Sequence, residues 1–141
     1  MKQALCWTQL VAGMALLALI SCSGDSAAPF DSGPEPGRLA VTLVSPHADD
    51  GAVLISLRGP NIGEVLSADP SYQIFAANGE EDGELRLAVL GERVADVLVT
   101  FEVPDIRQAT SYSATVINAA DRANALRAET ADYTLRIHPV H

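Results

Sequence analysis

The sequence predicts an all-β domain, an antiparallel β-sandwich of about seven to eight strands. Three observations predict it. Apolar residues alternate with polar or small ones in short runs, the period of a half-buried strand. Turn formers punctuate those runs roughly every dozen residues: Ser45-Pro46, Asp50-Gly51, Gly59-Pro60-Asn61, Asp69-Pro70, Asn78-Gly79, Asp82-Gly83 and Pro104. Beyond the N-terminal apolar run, no segment repeats apolar residues at the helical period. The β-branched run at residues 97–103 also disfavours helix.

The elements follow in order. Leu39, Val41 and Leu43 alternate with Ala40 and Thr42, and Ser45-Pro46 closes that strand. Val53, Ile55 and Leu57 alternate with Leu54 and Ser56, and Gly59-Pro60-Asn61 breaks the run. Residues 62–66 read as a short strand, and residues 72–76 as one with Tyr72, Ile74 and Ala76 on one face. Asn78-Gly79 and Asp82-Gly83 bracket an acidic hairpin loop leading into Leu85, Leu87 and Val89. Val97, Val99, Phe101 and Val103 set against Leu98, Thr100 and Glu102 make the most regular strand. Residues 112–118 read as a further strand, and residues 121–127 as one helical turn or an ordered loop. Tyr133, Leu135 and Ile137 close the domain before Pro139. Two sheets so built cover each other's apolar faces.

Ahead of this domain, residues 1–21 read as a signal peptide. Lys2 gives a positive start, and residues 10–20 are apolar except for Gly13. That run is about half of what a permanent transmembrane helix needs. Residues 22–37, rich in Gly, Pro and Ser, read as a disordered linker, and residues 38–139 as the folded domain. Leu19-Ile20-Ser21-Cys22 resembles the lipobox of bacterial lipoproteins. The resemblance implies cleavage before Cys22, a lipid (palmitate among its acyl chains) on the Cys22 thiol, and an envelope location. With Ser23 in place of an aspartate, it implies the outer membrane where the host has one. Several acyl chains anchor firmly, since each buried methylene contributes about 0.8 kcal/mol.

The formal net charge is -9, and the only lysine is Lys2. Cleavage before Cys22 leaves eight arginines against eighteen acids. Such a surface argues against nucleic acid and against anionic headgroups bound by a basic patch. The two cysteines are Cys6, in the signal, and Cys22, so no disulfide is expected in the domain.

The strand pattern over residues 39–137 is similar to bacterial immunoglobulin-like and cohesin-like modules. The residues that carry it are 94–103 with Pro104-Asp105, then Tyr112-Ser113-Ala114-Thr115-Val116, then 133–137. The resemblance implies binding of a protein partner on a sheet face. The cysteine pair and buried tryptophan of antibody domains are missing, Trp7 lying in the signal.

Ser45-Pro46-His47-Ala48-Asp49-Asp50 carries the densest polar chemistry. It resembles the Pro-His-Pro-Asp-Asp signature of zinc-dependent N-acetylglucosamine de-N-acetylases. That resemblance implies His47 and Asp50 as zinc ligands and Asp49 as base, with His138 or His141 as source of a third ligand. Metal-bound water would then ionise near neutral pH. Ala48 replaces the second proline, Gly51 stands where an acid often follows, and the chain lacks the length and helices of those α/β enzymes. The alternative is a polar turn begun at Pro46, with Asp49 or Asp50 capping amides. Asn78-Gly79-Glu80-Glu81-Asp82-Gly83-Glu84 approaches calcium-loop spacing, but position twelve is Val89, and a solvated hairpin tip is expected. Ser56, Ser111 and Ser113 lie in no nucleophile elbow. Residues 118–124 are expected to form a loop held by side-chain-to-backbone bonds, with Arg122 or Arg127 paired to a nearby acid. The prediction is a lipid-anchored interaction or structural module with no catalytic residue, metal or cofactor assigned. Its alternative is a small zinc hydrolase using His47, Asp49 and Asp50.

Overall fold

Residues 33–140 are described by the structure, a computed structural model, and they form eight strands in two four-stranded antiparallel sheets. The expected signal peptide, Cys22, most of the expected linker and His141 lie outside the described residues. The strands are β1 (Gly37–Val44), β2 (Asp50–Arg58), β3 (Val65–Ser67), β4 (Gln73–Asn78), β5 (Glu84–Leu90), β6 (Asp96–Val103), β7 (Ser113–Asp121) and β8 (Thr134–Pro139). One sheet has the order β3-β6-β1-β8 and the other β4-β5-β2-β7. The all-β sandwich is therefore the fold, as its alternation and turns require.

Pairs β1–β8, β2–β7, β3–β6 and β4–β5 are those of one long hairpin doubled over, and β1–β6 and β2–β5 join them side by side. This is a jelly-roll style of wiring. Strands β4, β5 and β2, and likewise β3 and β6, neighbour one another as D, E, B and C, F do in an immunoglobulin sandwich. The outer strands differ: β7 lies beside β2, and β1 then β8 lie beside β6.

The core is aliphatic. Leu39, Val41 and Leu43 of β1, Val53, Ile55 and Leu57 of β2, and Leu87 and Val89 of β5 are buried on the inner faces. Phe101 and Tyr112 add a tilted ring pair at 5.4 Å. Strict alternation fails in β6, where Leu98 and Val99 are both fully buried. The register steps from Val41↔Val99 to Thr42↔Val97, so Leu98 is an extra residue, and the bulge turns it inward.

Other differences have equally local causes. The third strand narrows to Val65–Ser67, although Gly63 and Glu64 already exchange backbone bonds with Glu102 (2.9 and 3.0 Å). Residues 121–127 form a loop without helix. The Asp121 side chain accepts from the amides of Ala123 and Ala125 (2.8 and 2.9 Å), and Ala120 bridges Leu126. A 3-10 helix at Ile106–Ser111, capped by Asp105, has no counterpart in the expected elements. Residues 33–37 are held on the domain, in contrast to the free linker expected through residue 37. Ile106 donates its amide to the Glu35 carbonyl (2.8 Å), Glu35 its amide to Asp105 (3.3 Å), and Arg107 donates to the Gly33 carbonyl (2.8 Å). Asp105 is buried. Arg107 beside it holds its carboxyl well below the usual aspartate range against the cost of burial, and the Arg107 and Glu35 amides assist.

Candidate functional site

The motif at residues 45–50 does close on itself, around Asp50. The Asp50 side chain is fully buried where β2 begins. It accepts a short hydrogen bond from the Ser45 hydroxyl, a bifurcated one from the Tyr133 hydroxyl (3.1 and 3.0 Å to its two oxygens) and one from Arg127 Nε (3.0 Å). The Arg127 guanidinium spans both acids, reaching Asp50 at 2.9 Å and Asp49 at 2.6 Å. Burial disfavours the Arg127 cation, but its bonds to Asp49 and Asp50 outweigh that and raise its pKa. Burial, then the bond to Asp50, pushes the Tyr133 phenol up. The Asp49 carboxyl is held low, chiefly by its bond to Arg127.

The segment makes a turn, as the second expectation has it, but its capping differs. Ser45 accepts from the His47 amide at 2.9 Å, the Asp49 carboxyl engages its own amide, and Asp50 is bound by side chains. His47 is exposed, its ring 5.9 Å from the Tyr133 ring. His138 lies opposite Ala40, five residues beyond Tyr133 and so roughly 15 Å along the chain at strand spacing. Among the described residues no group of three or more His, Cys, Asp or Glu is placed to hold a metal ion. The positive charge shared by Asp49 and Asp50 is a guanidinium, which zinc would have to displace, so these residues do not fit a zinc centre. The sequence reading places Tyr133 only in the closing strand. Arg127 was named as an acid partner, but its target, 77 positions away, could not be read from spacing.

The acidic loop is organised around Glu84, at the other end of β2. Residues 80–83 are exposed, as a solvated tip requires, but Glu84 is 6% exposed. Ser56 donates to it at 2.7 Å, and the amides of Glu80 and Glu81 at 3.1 and 3.3 Å. Arg86 and Arg58 flank it at 3.4 and 3.7 Å. The Ser56 bond leads in lowering its pKa from the ordinary 4.5 to about 2, overcoming the cost of burial. The carboxylates a cation would need are already engaged, with Glu81 on Arg58 (2.7 Å) and Glu80 on Arg86 (3.2 Å). Gly79 and Gly83 make the turn feasible: a Cβ at Gly79 would collide with the Glu84 carboxyl, and Gly83 has φ of 77°. Ser56 thus serves Glu84 as a hydrogen-bond donor. Ser111 ends the 3-10 helix and Ser113 begins β7, both exposed.

The outer faces of the two sheets differ in kind. On β3-β6-β1-β8, Arg38 bridges Glu64 (2.9 Å) and Glu102 (2.8 Å) across the strands. On β4-β5-β2-β7, the register sets Phe75 beside Ala88 and Leu54, and Leu90 beside Ala52 and Ala120. Leu126 extends the second row through its bridge to Ala120. Phe75 is 60% exposed and Leu126 74%. These rows form an apolar strip on an otherwise acidic domain. No protein-family model, curated protein or solved structure matches this chain.

Proposed function

We propose that this chain is a bacterial lipoprotein, processed at Cys22 and anchored in the cell envelope. Where the host has an outer membrane, Ser23 directs it there. Its sandwich serves as a non-catalytic module that binds a protein partner through the outer face of β4-β5-β2-β7. The observation that carries this reading is the apolar strip around Phe75, Leu54 and Leu90. Exposed apolar surface of this kind marks interaction sites. The buried carboxylates Asp50, Glu84 and Asp105 agree with the same reading, since each is engaged by donors of its own domain. The acidic charge and the cohesin-like pattern agree with a protein partner and oppose a nucleic acid.

Two measurements test this. Mass spectrometry of the native protein is expected to find acylated Cys22 as the first residue; an unmodified Cys22 behind a retained signal would remove the anchor. Cross-linking in native envelopes is expected to capture a partner protein that Phe75→Asp and Leu54→Lys both lose. Capture unchanged by both substitutions would rule out this face.

A further inference from the structure

We propose that two copies of this chain associate through the free edge of β4, forming one continuous antiparallel sheet across a two-fold axis at Ala76. This goes beyond the reading above, because it concerns the edge and not the face, and a second copy and not another protein.

Four edges close the two sheets, and three are guarded. β3 is three residues long and follows Glu64. β8 carries Arg136 and ends at Pro139. β7 is bulged at Ile117, where its register steps from Leu54↔Asn118 to Ile55↔Val116, and its end bridges Leu126. Short strands, charges, proline and bulges are the devices that keep sheet edges from pairing. β4, Gln73–Asn78, has none of these: no charge, no proline, no glycine and no bulge against β5.

The register of this edge is self-complementary. Gly79 donates its amide to Glu84 at 2.9 Å, so alternation turns the backbone groups of Ala77, Phe75 and Gln73 toward β5. Those of Ile74, Ala76 and Asn78 point away from it. An antiparallel copy centred on Ala76 sets Ala76 against Ala76 and Ile74 against Asn78, forming about six backbone hydrogen bonds. The same register puts Phe75, on the outer face, against the small Ala77 of the other copy. On that face the large ring of each copy then meets a small side chain, and the outer apolar strips join. For two copies that are each strongly acidic, an uncharged strand is where close approach costs least. The contact is isologous and therefore closed, giving a dimer and not a fibre.

Single cysteines in the full chain, expressed in its native envelope and oxidised with diamide, test the register. Across the axis the Ala76 Cα atoms would lie about 5.5 Å apart, within disulfide range, whereas Ala77 pairs with Phe75 and its own copy lies out of reach. Ala76→Cys is expected to give a cross-linked dimer at least about tenfold over Ala77→Cys and over Thr115→Cys on the opposite edge. Equal yields at the three positions, or none at Ala76, would overturn the proposal. In detergent, Ala76→Pro removes only an outward-pointing amide and is expected to sediment as a monomer, with Ala76→Lys as the second variant should proline prevent folding. Dimer mass persisting in the folded variant would overturn it too. Loss of a heterologous partner in Phe75→Asp with Ala76→Cys dimers absent would support the face reading alone; the reverse outcome would support the edge alone.

Discussion

Asp50 and Glu84 are buried at opposite ends of β2, and they are satisfied by different kinds of neighbour. Asp50 takes its cation and its phenol from Arg127 and Tyr133, 77 and 83 positions away. Glu84 takes its bonds from its own hairpin tip and from Ser56, diagonally across the β2–β5 ladder. One carboxylate therefore fastens the last third of the chain to the first strands. The other shapes a turn. Two acids of similar burial thus hold structure over very different ranges, and their loss should be felt differently.

The largest effect is expected at Asp50. Arg127→Ala leaves that carboxylate buried without its cation, and removing one partner of such a pair costs on the order of 3 kcal/mol. Urea unfolding checks this; a loss no larger than that of a surface substitution would erase the distinction between the two ends. Glu84 gives the next effect, and it is one of pH. Its folded pKa lies below its unfolded value, so its contribution is complete above about 4.5 and is lost as pH falls toward about 2. Glu84→Gln is expected to flatten the acid limb of a stability–pH curve in that window; an unchanged slope would place the acid sensitivity elsewhere. The smallest effect is Tyr133→Phe, which removes a hydroxyl donor from Asp50 but keeps the ring. About 1 kcal/mol is expected, since Ser45 and Arg127 still satisfy the acid. A loss matching that of Arg127→Ala would make the phenol an equal partner.

Period-two alternation made much of the core legible. Leu39, Val41 and Leu43, then Val53, Ile55 and Leu57, then Leu87 and Val89 are buried as their spacing requires. Alternation cannot announce a bulge, which is why Leu98 falls on the wrong face of the expected pattern. Nor can it reveal wiring, since any strand of the right period fits several neighbours. The motif at residues 45–50 was visible as a concentration of polar groups. Its chemistry was not, because that depends on Arg127, a residue with no local signal of its target. Glu84 was hidden for the opposite reason: as one of four acidic residues between 80 and 84 it looks like solvent-facing charge, and only the fold of the tip turns it inward.

The wiring has a consequence for how the molecule is made. Among the described strands, only β4 pairs with its immediate successor in the chain, β5. β1 lies between β6 and β8, so the first strand to leave the ribosome waits for the last before its sheet can close. Long-range pairing of this kind is slow. A polypeptide that delays its own closure until synthesis ends stays threadable for longer, which agrees with the export proposed for this chain.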